Sequence, residues 1–141
     1  MIRIVAFSVL ALLSLGAQAD GLASKSEAKA FSDRLVQFFV KEEFKAGFDA
    51  AKPHWPIPAI EVDGVVNQID QAWPLVQNRF GKSLEIEYLK SREIGKSFIK
   101  HYYLHKFENH AIYWSISFYR PKDIWVVNHI VFLDDLEGLY E

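Results

Sequence analysis

"FIKHYYLHKFENHAIYWSISFY", residues 98–119, decides the fold. Ile99, Tyr102, Tyr103, Leu104 and Phe107 precede a short polar "ENH", and Ile112, Trp114 and Ile116 follow it. Aromatic and β-branched residues at this density, parted by turn residues, read as two strands joined by a tight turn. The reading governs His101, His105 and His110, which lie here among the chain's 5 histidines. On a helix, His101 and His105 would stand about 6 Å apart along the axis, close enough to chelate. On a strand the same spacing is about 13 Å, whereas zinc sits about 2.0–2.1 Å from a ligand nitrogen. One strand cannot bring both to one ion, so neither a metal nor another cofactor is expected. The three are expected as half-buried or exposed sheet histidines, with His110 in the turn.

Working outward, Ile86 and Tyr88 alternate with Glu85 and Glu87, giving a strand from Leu84 to about Glu93. Phe98 to Phe107, Ala111 to Tyr119 and Ile124 to Leu133 follow as further strands. "ENH" and "RPKD" are turn-like, so the last three strands form an antiparallel meander. Upstream, Ala28, Phe31, Leu35, Phe38 and Phe39 make one helical stripe, so Ala23 to about Phe48 reads as a single helix with Ser24 or Ser26 as N-cap. "KPHWPIPAI", residues 52–60, reads as a rigid extended connector, because prolines 53, 56 and 58 bias the residues before them toward extended geometry. Trp55 within it is expected to pack on the domain. A second helix is expected from Asp63, carrying Val65, Val66, Ile69, Ala72, Trp73 and Val76, kinked or split at Pro74 and ending at Gly81. Helices first and strands after predict an α+β fold, N-terminal helices packed on a curved antiparallel four-stranded sheet.

A four-residue "RPKD" turn would set Phe118 opposite Trp125, Ile116 opposite Val127 and Trp114 opposite His129. His129 then lies alone on an apolar face with Val131, as a satisfied core histidine or a general base at a cavity mouth. The other face carries Tyr113, Ser115, Ser117 and Tyr119 beside Ile124, Val126, Asn128 and Ile130. Tyr113, Ser115, Ser117, Tyr119 and Asn128 are the candidate ligand-binding residues of that face, which suits a wet pocket or a sheet-to-sheet homodimer.

Helices followed by a meander ending "WSISFYRPKDIWVVNHIVFLDD" resemble the nuclear-transport-factor-2-like superfamily, closest to small exported bacterial members. "RFGKSLEIEYL" resembles their helix-to-sheet junction, and the likeness covers about Ser24 to Glu141. The resemblance implies a bent sheet wrapped around a long helix as a cone with one open end. It also implies a choice of activities, since the superfamily holds isomerases, dehydratases and cyclases beside non-catalytic binding and dimerising domains. Its isomerase-like members use a carboxylate base with a Tyr and a protonated Asp. Those roles do not carry over: Glu85 and Glu87 alternate outward, and Asp134 and Asp135 lie at the sheet's end. An enzyme of this kind would rely on His129 or His101 with Tyr103 or Tyr119. The preferred reading is a non-catalytic module that binds a small apolar ligand or a protein partner.

Composition narrows the classes further. The chain has no Cys, which excludes thiolate nucleophiles and Cys-ligated zinc. Its formal charge is −2 without a basic stripe, so nucleic acid is not an expected partner. No P-loop, nucleophile elbow, HExxH or EF-hand pattern occurs. Arg3, the apolar run Ile4–Leu15 and Ala17-Gln18-Ala19 have the three parts of a cleavable signal peptide. Residues 1–19 are therefore expected to be removed and residues 20–141 to form one domain, periplasmic or secreted, with no membrane attachment after cleavage. Intact mass of protein exported by a bacterial host should correspond to a chain beginning at Asp20. A mass that retains Met1–Ala19 would overturn cleavage and location together.

Overall fold

The computed structural model describes residues 19–141, so the expected signal peptide, apart from Ala19, lies outside the described residues. Helices α1 (Lys25–Val40), α2 (Phe44–Ala51) and α3 (Ala59–Phe80) pack on one face of a sheet of β1 (Ser83–Ile94), β2 (Phe98–Phe107), β3 (Ala111–Tyr119) and β4 (Val126–Leu133). The sheet is open and antiparallel throughout, in the order β1-β2-β3-β4. The α+β architecture expected from the order of periods is the one observed. A 3-10 turn, Leu136–Tyr140, follows β4.

The single N-terminal helix expected over Ala23–Phe48 is instead two. Ser24 caps α1 by accepting from the Glu27 N–H, and the Glu27 carboxylate accepts from the Ala23 N–H at 2.6 Å. At the other end the Glu43 N–H donates to the Phe38 carbonyl and the Glu42 N–H to the Phe39 carbonyl, each at 2.9 Å. That pair of bonds is a Schellman stop, and it sets Glu42 at φ 61. A non-glycine there costs about 1–2 kcal/mol. The Glu42 carboxylate accepts from the Gln77 side chain of α3 at 2.6 Å, a contact that only the bent chain permits. Gly47 lies inside α2, where a Cβ would meet the Phe39 ring at 2.9 Å. Its small size lets α2 fold back on α1.

The connector is also shorter and less extended than expected. Lys52–His54 is a 3-10 turn with Pro53 in its first turn, and α3 already begins at Ala59 after Pro58 rather than at Asp63. Pro suits the start of a helix because its missing N–H would have had no partner there. Nor is α3 split at Pro74. It runs as one 22-residue helix because Pro74 is on the solvent side, while neighbouring Trp73 is fixed in the core.

Alternation sorts the sheet into two faces. Ile99, Tyr103 and Phe107 of β2 and Ile112, Trp114, Ile116 and Phe118 of β3 meet the helices. There Phe39 stacks on Trp114 at 4.2 Å between ring centres, and Trp73 meets Phe44 edge-on at 4.4 Å. The β4 register departs from expectation. Trp125 forms a two-way backbone bridge with Leu22, both bonds 2.8 Å, instead of pairing with Phe118. Phe118 then pairs with Val127, and Asn128 bulges out, so Ser117 faces His129, Ile116 faces Ile130 and Trp114 faces Phe132. A one-residue bulge exchanges the faces beyond it. Ile130 turns into the core, whereas His129 and Val131 turn to the outer face.

Trp55 is buried in the core and stacks on Phe48 at 6.4 Å. Removing a packed Trp costs about 3–5 kcal/mol. In urea titrations, Trp55→Ala should lower stability by that order. A change below about 1 kcal/mol, the scale of an unremarkable surface substitution, would mean that the connector is not part of the packed body.

Candidate functional site

The inward histidines are structural elements of the core. His101 and His105 are almost wholly buried, contrary to the half-buried or exposed placement expected for them. Burial is possible because the folded chain supplies polar partners. The Trp114 indole N–H donates to His105 Nδ1 at 3.1 Å. With Nδ1 accepting, the proton of the neutral ring sits on Nε2 and is donated to Ser83 Oγ at 2.6 Å. Ser83 Oγ in turn donates to the Val40 carbonyl at 2.6 Å. Both ring nitrogens are thus occupied. His101 Nδ1 bonds to Ser91 Oγ, which contacts the Tyr88 hydroxyl at 2.6 Å, while His101 Nε2 is buried without a partner.

Tyr103, two residues along the same face, donates its hydroxyl to Asp33 Oδ1 at 2.6 Å, and Lys29 holds the same carboxylate oxygen at 2.6 Å. Burial and the Asp33 carboxylate both raise the Tyr103 hydroxyl above its ordinary range. It is poorly suited to give up its proton. His101 and Tyr103 therefore point to separate partners, and no His–Tyr hydrogen bond joins any such pair among the described residues. His129 and Tyr119 are both exposed on the outer face. The four acid/base candidates do not form one constellation.

Among several cavities, one on the outer face gathers three of the residues singled out in the sequence. It encloses about 550 Å³ over β1 and β2, under the C-terminal turn. Ile94, Phe98 and Tyr102 form its apolar wall, and Arg92 and Lys100 line it from adjacent strands. Of the residues singled out in the sequence, Ser117, Asn128 and His129 line it as well. Tyr119 stacks on Phe98 at 5.0 Å beside it. Tyr113 and Ser115 are buried, Tyr113 beneath the tail, where a Cβ on Gly138 would lie 2.9 Å from the tyrosine hydroxyl. Burial raises the Tyr113 hydroxyl too. Lys90 donates to the Leu139 carbonyl and ties the tail to β1.

Arg92, Ile94, Phe98, Lys100 and Tyr102 were not among the sequence candidates. Once the alternation of β2 is set by the inward residues 99, 101, 103, 105 and 107, positions 98, 100 and 102 must face out. That parity was the available signal. No protein-family model, curated protein or solved structure gives a significant match to the chain.

Burial lowers both histidines from 6.5 to about 4, with the nearby Lys29 adding to the effect at His101. Between those values the unfolded chain takes up protons that the folded chain does not. Stability is then complete above pH 6.5 and declines as pH falls toward 4, by roughly 3 kcal/mol for each histidine. Urea midpoints measured from pH 7 to 4 should fall accordingly, and about half as steeply in His105→Gln if the variant folds. A wild-type midpoint that does not fall over that range would contradict the assignment of two buried neutral histidines.

Proposed function

We propose that this chain is an exported, non-catalytic binding module of the nuclear-transport-factor-2-like kind, and that it holds a small, largely apolar molecule in the outer-face cavity. The observation that carries the reading is the contrast between the two faces of the sheet. On the helix side, aromatic rings fill the middle of the layer, His105, Ser83 and Tyr103 are hydrogen-bonded, and a smaller pocket of about 330 Å³ lies between α3 and β4. On the outer side, a cavity of about 550 Å³ stays open between apolar wall residues and a few polar groups. Small-molecule sites span about 300–1,000 Å³ and have this mixed lining. The signal-peptide pattern of residues 1–19 supports export.

A second copy of the chain is the other occupant of this face that the sequence raised. The apolar rim favours it, since Ile94 is 74% exposed and Phe98 41%. Against it, the tail crosses the same face. Sedimentation at micromolar concentration separates the readings: a dimer that Phe98→Asp dissociates would favour the second.

For the ligand reading, amide NMR shifts should be followed while folded protein is titrated with octan-1-ol, octanoate and octylammonium. At least one of these eight-carbon probes should move the amides of Phe98, Lys100, Tyr102, Ser117 and His129 together and leave Trp114 and Phe39 in place. If all three leave those amides unmoved, the cavity is not a binding site for molecules of this size.

A further inference from the structure

Arg92 and Lys100 are direct cross-strand partners of β1 and β2, on the outer face. Like charges placed opposite one another destabilise a sheet. Among the described residues five lysines are paired with carboxylates, and other cations, such as Arg34, Lys41 and Lys82, stand unpaired. What sets Arg92 and Lys100 apart is that they face each other across two strands. On the same face, Lys106 is held by Glu85 at 2.7 Å and Glu87 at 3.2 Å. Lys25, Lys29, Lys45 and Lys52 each have a carboxylate within 3.0 Å. Arg92 and Lys100 have none within 4 Å among the described residues, nor does Lys90, the next cation along β1. Two carboxylates line the cavity. Glu93 is taken by Lys25 at 3.0 Å, and Glu141 lies exposed in the tail.

An uncompensated cation pair beside an apolar wall is a local conflict of the sort that marks functional sites. We infer that the outer-face cavity accepts an amphiphilic anion, a carboxylate or similar head group on a short apolar body. The inference rests on the ligand-binding reading and names its chemistry. The Arg92 guanidinium presents a planar fork to an anionic head, and the Lys100 ammonium a point charge from the adjacent strand. Ile94, Phe98 and the Tyr102 ring cover the body. Binding relieves the repulsion between Arg92 and Lys100, so the ligand-free protein is under electrostatic strain that its ligand removes.

Three probes with the same eight-carbon body isolate the head group. Calorimetric titration at low salt should find octanoate about tenfold tighter than octan-1-ol, with octylammonium the weakest. Added salt and the Arg92→Gln/Lys100→Gln double variant should each shrink the preference for octanoate toward unity, whereas Lys106→Gln should leave it unchanged. Without ligand, Lys100→Gln should melt no lower than wild type, because it removes a repulsion. That readout also shows whether the variants fold. Equal affinities for octanoate and octan-1-ol would overturn the inference and leave the cavity reading standing, as would a preference for octylammonium. A preference for octanoate that survives the double variant would place the anion elsewhere and overturn it too. Failure of all three probes to bind would remove the cavity reading and the inference with it.

Discussion

Trp114 donates to His105, His105 to Ser83, and Ser83 to the carbonyl of Val40. This line of hydrogen bonds fixes four parts of the chain at once: β3, β2, the first residue of β1 and the last residue of α1. It runs in one direction and ends on an acceptor, so every donor in it is used. Protonating His105 would set a second N–H against the Trp114 N–H, two donors facing one another. The ring must therefore be neutral, and its burial then costs little, because no charge leaves water. The position of α1 over the sheet follows. The Val40 carbonyl is one of the last four of its helix, which have no partner inside the helix. Ser83 satisfies it from 43 residues away.

The aromatic packing depends on that placement. With α1 held at Val40, Phe39 lies on Trp114, and the Schellman stop turns the chain so that Phe44 and Phe48 enter the same layer. Trp73 closes the layer from α3 against Phe107 and Phe132. Rings fill the middle of this layer, and the space left between helices and sheet is a pocket of about 330 Å³ at the α3–β4 edge and a smaller one of about 200 Å³ beyond it. The larger mixed-lining cavity is on the other face, under the C-terminal tail.

The strands were legible in the sequence nearly to the residue. Phe98–Phe107 and Ala111–Tyr119 are bounded by turn residues and crowded with residues that disfavour helix. The helix break was not legible, because Glu42 takes a left-handed conformation without the glycine that usually announces one. The inversion of His129 was hidden for a related reason. A bulge at Asn128 depends on Trp125 pairing with Leu22, more than 100 residues earlier, and periodicity along one strand carries no trace of it. The core histidines were missed because their partners, Ser83 and Ser91, lie on another strand. Of the candidate site, the polar residues of β3 and β4 were singled out, but the cations of β1 and β2 were not. Lysine and arginine on a strand ordinarily mean a solvated face, and only the pairing of Arg92 with Lys100 distinguishes these two.

The two faces of the sheet therefore treat polarity in opposite ways. Inside, His105, Ser83 and Tyr103 are matched donor to acceptor, and His101 Nε2 and the Trp73 indole N–H are buried exceptions. An interior built this way is rigid, since each polar group that moved would lose a partner in a medium where replacement is costly. Outside, Arg92 and Lys100 can remain unmatched because water screens them. The same exposure keeps their repulsion small enough for the fold to tolerate. It becomes larger as an apolar body displaces water from the cavity, unless that body carries the opposite charge. A neutral occupant raises the cost of the cation pair, whereas an anionic one cancels it. On the inference drawn above, selectivity for charge would arise from desolvation of the Arg92–Lys100 pair and would need no movement of the sheet that presents it.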